Sequence, residues 1–178
     1  HCDTLASEHS DNARFFCDVQ KWVGVPIQRI KSSKYENIDQ VFEATRYLSG
    51  NLGARCTVEL KKVPRFNYQR PDDTHIFGYT LEEYNRIARF KQDNPELLCD
   101  WILQRNSITK ATCSRILEKA GIQEPAIYSM GFENANCLGC VKASSPHYWA
   151  KVRRLFPEVF ARRADQSARF GASLVRIA

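Results

Sequence analysis

The sequence feature that most constrains the fold of this chain is a pair of cysteines two residues apart, Cys137 and Cys140. The pair lies between Gly131 and a helix that is predicted to begin at Pro146. Two thiolates at this spacing can bind one metal ion or cluster from a single tight turn, and Gly139 allows the backbone to bend there. By itself the pair has four interpretations: half a zinc site, a redox pair, half an iron–sulfur site, or two core cysteines. A metal site would therefore need further ligands from elsewhere in the chain.

A third cysteine, Cys56, follows a glycine turn and precedes a basic segment that includes Lys61. We expect the basic segment to lower the pKa of the Cys56 thiol and to favour its thiolate. Together with the Cys-x-x-Cys pair, it would supply three thiolates to an iron–sulfur cluster and leave one iron open. Zinc is the alternative, and it needs a fourth ligand such as His147 or Cys113. Otherwise the three residues are free cysteines in turns.

Composition excludes several classes of protein. The chain has 178 residues, a formal charge of +6 and no apolar run of membrane-spanning length, so we expect a globular protein with no membrane partner. Seven cysteines, an odd number, in a sequence that does not open with a secretory signal favour a reducing cytoplasm. The positive charge is compatible with a nucleotide or nucleic-acid partner, although a solvated basic surface explains it equally well.

Predicted strands alternate with predicted helices along the chain. We expect strands near residues 25–30, 74–79 and 97–101, with a last strand over residues 174–177. Apolar spacing and capping residues predict helices over residues 11–23, 38–48, 80–89 and 109–120, and another from Pro146. This alternation predicts an α/β domain with a parallel sheet, and a mostly helical portion from residue 105 onward.

Two further features suggest a ligand site. The cationic residues Lys61, Arg65 and Lys142 lie near the cysteines in sequence and could bind phosphate or sulfate groups. Gly78 ends a predicted strand just before a charged helix start, as often occurs beside ligand sites at the carboxyl edge of a parallel sheet. The alternatives are a solvated basic face and an ordinary exposed helix with an i,i+4 ion pair.

Several segments, in the right order, resemble the phosphoadenosine phosphosulfate reductase family, within the larger group of PP-loop adenine-nucleotide hydrolases. The segments that carry the resemblance are Asp3-Thr4 with Glu8, Cys56 with Lys61 and Pro64, residues 78–86, Cys99-Asp100-Trp101, and residues 128–132 ahead of the Cys-x-x-Cys pair. The sequence departs from the family in three places. The Ser-Gly-Gly-x-x-Ser phosphate loop would lie before His1, Thr57 replaces the second cysteine of a Cys-Cys pair, and the Glu-Cys-Gly-x-His tail is missing.

The resemblance implies a Rossmann-like (HUP-type) parallel sheet with helices on both faces, in a single domain over residues 1–178 that begins inside the natural domain. Residues 1–104 would form the nucleotide-binding part, and residues 105–178 the helical part with the Cys-x-x-Cys pair. The implied ligand is ATP or phosphoadenosine phosphosulfate. The residues expected to bind it are Asp3, Thr4, Lys61, Arg65, Gly78 and Lys142.

The implied function is adenine-nucleotide-dependent sulfur chemistry, either sulfonucleotide reduction or ATP-dependent transfer. A [4Fe–4S] cluster, with zinc as the alternative, would be held by Cys56, Cys137 and Cys140. An iron–sulfur thiolation enzyme acting on tRNA or DNA is the second reading, because related thiolation enzymes use three cysteines. A non-catalytic nucleotide- or nucleic-acid-binding module is the third. The sequence leaves open whether the protein forms a homodimer, and it assigns no residue a catalytic role.

Overall fold

The structure, a computed structural model, describes residues 1–51 and 53–175 and is an α/β fold in which helices predominate. The helices are α1 (Asp11–Val23), α2 (Ile38–Thr45), α3 (Arg55–Thr57), α4 (Val63–Tyr68), α5 (Tyr84–Asp93), α6 (Ile102–Arg105), α7 (Lys110–Lys119), α8 (Ala126–Ser129), α9 (Pro146–Leu155) and α10 (Pro157–Phe170). A π-helical turn, Val58–Lys62, joins α3 to α4, and short 3-10 turns occupy Leu5–Ser7 and Leu81–Glu83. The strands are β1 (Ser49–Gly50), β2 (Gly53–Ala54), β3 (His75–Ile76) and β4 (Cys99–Asp100).

The chain divides into two compact units. The first unit consists of His1–Tyr68 and Pro125–Ala178, and the second consists of Gln69–Glu124. The predicted division at residue 104 falls within the second unit. Among the helices of residues 1–51 and 53–175, none has both the length and the apolar character of a membrane span.

Each unit contains a small amount of β structure. In the first unit, Cys2 and Ile30 form a parallel bridge, in which the Asp3 N–H donates to the Ile30 carbonyl over 2.8 Å. The same unit has an antiparallel hairpin of β1 and β2. In the second unit, β3 pairs with β4 in parallel, with His75 opposite Cys99.

The α/β class and the parallel pairing of strands near residues 75 and 99 are confirmed. The strands are much shorter than predicted, and the strand expected over residues 25–30 is reduced to the bridge at Ile30. Pro26 offers a physical reason, because proline has no N–H to donate to a strand ladder. The larger Rossmann-like sheet stays a prediction. Of the strand predicted over residues 174–177, Leu174 and Val175 are not in a strand, and the last two positions lie outside the described residues.

The main core of the first unit is built on α2. The Asn37 side chain caps this helix by accepting a 3.0 Å hydrogen bond from the Gln40 N–H. Its apolar residues recur at helical spacing and therefore point to one side. The buried members of this core are Ile38, Val41, Phe42, Leu48, Ala54, Leu60 and Val141. A second buried cluster surrounds α9 and comprises Ile127, Phe132, Trp149, Val152 and Val159.

We expect Phe42→Ala to lower the free energy of unfolding by about 3–5 kcal/mol, because it removes a large, fully buried side chain and leaves a cavity. The matched control is Phe66→Ala, since the Phe66 side chain is 61% exposed. The control should cost less than about 1 kcal/mol. Urea denaturation followed by circular dichroism measures both changes. Equal losses for the two variants would contradict the proposed core.

Candidate functional site

The candidate site is centred on the cysteine turn, residues 137–140, in the first unit. Backbone hydrogen bonds hold this turn from two sides. The Leu138 N–H donates to the Ser7 carbonyl over 2.9 Å, and the Cys140 N–H donates to the Tyr148 hydroxyl oxygen over 2.8 Å. The turn is therefore connected both to the segment that follows the Cys2–Ile30 bridge and to the first turn of α9.

A buried arginine of α10 holds the turn from a third side. Arg163 is only 2% exposed, and its Nε donates to the Gly139 carbonyl over 3.2 Å. Its guanidinium also donates to the Asp39 carboxylate and, over 2.6 Å, to the Gln166 side chain. Because Asp39 belongs to α2, one side chain connects the cysteine turn, α10 and the main core.

The three predicted metal ligands lie in one region of the first unit. Cys56 lies at the start of α3, just after the β1–β2 hairpin. Cys56 and Cys137 both pack against the core built on α2. Cys140 is close enough to each of the other two thiols to raise its pKa electrostatically. Residues that are about 80 positions apart in sequence thus share one site.

The environment keeps two of these thiols protonated. Burial is the main cause that raises the pKa of the Cys137 thiol, to about 12, and Glu8 and the neighbouring cysteines add to it while Lys61 opposes it. Burial also raises the pKa of Cys56, against the opposing charges of Lys142 and Lys61. The expected lowering of the Cys56 pKa is therefore wrong, because desolvation outweighs the basic residues nearby. Both groups are neutral thiols at pH 7.

The types of residue at this site suit a metal ion or a cluster, but their arrangement in the structure does not. Three thiols are the right ligand type for iron–sulfur or zinc binding, but they must first lose their protons. Within the described part of the chain, no group of three or more His, Cys, Asp or Glu side chains is placed to hold a metal ion. Of the fourth zinc ligands considered, His147 belongs to the same unit, whereas Cys113 lies in the second unit. Cluster or zinc binding stays a prediction.

A cavity of about 700 Å³ lies where the chain leaves the Cys2–Ile30 bridge, and we call it the strand-end cavity. Its charged lining includes Asp3, Arg29, Lys31, Lys34 and Glu36. The Asp3 carboxylate pairs with Arg29 over 2.5 Å and with Lys31 over 3.5 Å. Although burial raises the pKa of Asp3, hydrogen bonds from the Leu5 N–H and from Arg29 lower it overall. Asp3 is therefore ionised and pairs with two cationic side chains, Arg29 and Lys31, which also line this cavity.

Thr4 forms a hydrogen bond with Glu8 in the structure, and its predicted contact with a nucleotide stays a prediction. Its side chain is buried, and its hydroxyl donates to the Glu8 carboxylate over 2.6 Å. Asn12, also buried, donates to the other oxygen of Glu8 over 2.8 Å. In this arrangement Thr4 orients Glu8, whose charge acts on Cys137.

Two of the predicted cationic residues, Lys61 and Lys142, act electrostatically on the same thiol, Cys56. Lys61 is exposed, and its charge acts on Cys137 and Cys56. Arg65 is half-buried with its guanidinium 5.9 Å from the Phe66 ring centre, and its Nε has no hydrogen-bond partner among the described residues. Lys142 lines a cavity with Cys140. Gly78 belongs to the second unit, so its expected proximity to Lys61 stays a prediction.

Sequence reasoning missed Arg163, Tyr148 and the cations of the strand-end cavity. Arg163 follows the core residue Val159 by four positions, so a helical wheel places it on the buried face of α10. A charged residue on a buried helix face was therefore the sequence signal that could have identified Arg163. Tyr148 carried no such signal, because its contact with Cys140 depends on how the loop before α9 folds back.

No family model, curated protein or solved structure matches the chain. The resemblance to the reductase family therefore depends on the sequence motifs alone, and the chemistry has to be argued from the residues of the site.

We expect Gly139→Ala to destabilise the protein more than Gly171→Ala. Both glycines have left-handed φ angles, +62° and +64°, so an alanine at either position costs about 1–2 kcal/mol in backbone strain. A Cβ at Gly139 would also lie 2.7 Å from the Val159 Cγ1, whereas a Cβ at Gly171 meets nothing within 4 Å. Overpacking should therefore add about 1–3 kcal/mol at Gly139 only. Urea denaturation of the two variants measures the difference, and equal losses would contradict the close packing of the turn.

Proposed function

We propose that this chain belongs to the phosphoadenosine phosphosulfate reductase family and takes part in adenine-nucleotide-dependent sulfur chemistry in the cytoplasm. The observation that carries the proposal is the connection between two places in the first unit. The segment of residues 3–8 lines the strand-end cavity at Asp3 and accepts the Leu138 N–H of the cysteine turn at Ser7. The strand-end cavity and the cysteine turn are thereby held on one short segment.

The strand-end cavity supports the nucleotide half of the proposal. Ligands of open α/β folds bind at the carboxyl ends of parallel strands, and Asp3 and Lys31 follow directly on the parallel bridge between Cys2 and Ile30. Arg29, Lys31 and Lys34 supply the positive charge that a phosphate or sulfate group requires. The Rossmann-like sheet expected from the resemblance would extend this edge.

The cysteines support the sulfur half. Reduction of a sulfonucleotide needs two electrons, and the Cys137–Cys140 dithiol could supply them. One thiolate would attack the sulfur of the sulfate group, so that an S–S bond forms and the S–O bond to the nucleotide breaks. The second thiolate would then attack the cysteine sulfur, release sulfite and leave a disulfide. Cys137 and Cys140 are both free thiols in the structure, as this reaction requires at its start.

ATP-dependent sulfur transfer to a nucleic acid is the second candidate, and the position of Cys56 favours it. Cys56 joins the Cys-x-x-Cys pair while Thr57 occupies the fourth cysteine position of the reductase motif. Three thiols are the set that the related thiolation enzymes use to hold a cluster with one open iron. A cluster bound here by Cys56, Cys137 and Cys140 would supply sulfide, and the formal charge of +6 suits a nucleic-acid substrate.

Nucleotide binding tests the first half of the proposal. We expect reduced protein to bind ATP or phosphoadenosine phosphosulfate in isothermal titration calorimetry. Lys31→Glu should weaken that binding about tenfold, or about 1.4 kcal/mol, because it reverses a charge at the mouth of the strand-end cavity. The control Lys21→Glu makes the same charge change on an exposed position of α1 and should alter the affinity less than twofold. Equal weakening by both variants would show that only net charge matters and would rule out this cavity.

Cluster binding separates the two candidate reactions. Under anaerobic reconstitution with iron and sulfide, a thiolation enzyme should develop the visible absorbance of a [4Fe–4S] cluster. We expect Cys56→Ala to lose that absorbance and keep its circular dichroism spectrum, because Cys56 packs at the edge of the core. Cys17→Ala, at an exposed cysteine of α1, is the control and should retain the cluster. A wild-type protein that takes up neither iron nor zinc would favour the dithiol reaction instead.

A further inference from the structure

A second cavity, of about 390 Å³, lies beside the cysteine turn, and we call it the Cys140 cavity. It is enclosed by the loop after α8, the residues that follow Cys140, and the first turns of α9. Its chemically active lining residues are Cys140, Lys142, His147, Tyr148, Lys151 and Glu133. The cavity is distinct from the strand-end cavity, with which it shares no lining residue.

Tyr148 presents a hydrogen-bond donor to this cavity. Its ring is held edge-on against Phe132 and Trp149, with ring centres 5.7 and 5.4 Å away. Its hydroxyl oxygen accepts the Cys140 N–H, and its own proton has no acceptor among the described residues. A tyrosine hydroxyl is protonated at neutral pH, so it can act as a donor as well as an acceptor. The proton is therefore available to a ligand in the cavity.

Two lysines give the cavity a positive balance. Lys142 is exposed and has no ion-pair partner in the described part of the chain. The Lys151 ammonium donates to the Gly131 carbonyl and lies 5.2 Å from the Phe132 ring centre, which leaves further N–H donors for a ligand. Glu133 is the one carboxylate among the lining residues. Two ammonium groups, a neutral hydroxyl donor and a single carboxylate favour an anion over a cation.

We propose that the Cys140 cavity binds a small oxyanion of sulfur, such as sulfate, sulfite or thiosulfate, next to the Cys140 thiol. Lys142 and Lys151 neutralise its charge, and the Tyr148 hydroxyl donates to one of its oxygens. Tyr148 also orients the Cys140 backbone, so the same side chain sets the position of the thiol and of the anion. The biological purpose of this site rests on the proposed function. The site adds that the sulfur oxyanion binds in the Cys140 cavity, whereas the nucleotide binds in the strand-end cavity.

Protection of Cys140 from alkylation tests the site without any nucleotide. Reduced, metal-free protein is treated with iodoacetamide in sodium sulfate or in sodium chloride of equal ionic strength, and modification is measured by peptide mass spectrometry. We expect sulfate to slow alkylation of Cys140 at least fivefold and to leave the exposed Cys17 unchanged. Half-protection should need about tenfold more sulfate in Tyr148→Phe, because an uncompensated hydrogen bond to an anion is lost.

Two lysine variants show whether protection depends on a specific site or only on the net charge of the protein. Lys142→Gln should weaken the protection as Tyr148→Phe does, whereas Lys21→Gln, at an exposed lysine of α1, should not. Both are surface changes, so their circular dichroism spectra should match that of the parent protein. Equal protection in sulfate and chloride, or equal loss in both lysine variants, would overturn the proposal.

The same protection experiment with AMP, together with a measurement of nucleotide binding, keeps this test independent of the proposed function. Protection by AMP but not by sulfate would overturn a free oxyanion site, because the cavity would then take a nucleotide phosphate. Sulfate protection in a protein that binds no adenine nucleotide would support the oxyanion site while removing the nucleotide half of the proposed function. Nucleotide binding without sulfate protection would remove the oxyanion site alone.

Discussion

The interaction on which the first unit depends is the burial of the Arg163 guanidinium. A buried charge is costly unless a counter-charge and hydrogen-bond acceptors surround it. Asp39 supplies the counter-charge, while the Gly139 carbonyl and the Gln166 side chain accept its other protons. These partners come from α2, the cysteine turn and α10, so satisfying one side chain brings three distant segments together. The Arg163 guanidinium also lies 5.0 Å from the Phe42 ring centre, which joins this polar network to the apolar core.

The chemistry of the candidate site follows from this packing. Because the cysteine turn is drawn against the core, the Cys137 thiol is desolvated and its pKa is raised to about 12. A neutral, buried thiol is protected from oxidation, yet it must lose its proton before it can attack sulfur or bind a metal. The positive charge of Lys61 acts in the direction of ionisation, because it lowers the Cys137 pKa against the effect of burial. Cys140 itself lines the Cys140 cavity, and the segment that lines the strand-end cavity accepts the Leu138 N–H at Ser7.

Local signals predicted five of the ten helices in the described part of the chain, namely α1, α2, α5, α7 and α9. Helix α1 occupies the predicted residues 11–23, and Pro146 begins α9 as its position after Ser145 indicated. Thr80, the first residue of the predicted helix 80–89, forms a capping box with Glu83. These signals work because a cap or a helical repeat acts over a few residues. The strands were predicted less well, because strand length depends on partners elsewhere in the chain, and Pro26 removes a donor from one of them.

The sequence by itself determined the α/β class and indicated five of the helices, and it singled out three cysteines as candidates for a shared site. Only the tertiary structure decided how those thiols behave, because the pKa of Cys56 depends on burial, and burial outweighs the basic residues that lie next to it in sequence. The roles of Arg163 and Tyr148 were likewise decided by folding. Arg163 contacts residues 24 and 124 positions away, Tyr148 depends on how its loop folds back, and no local pattern encodes such contacts.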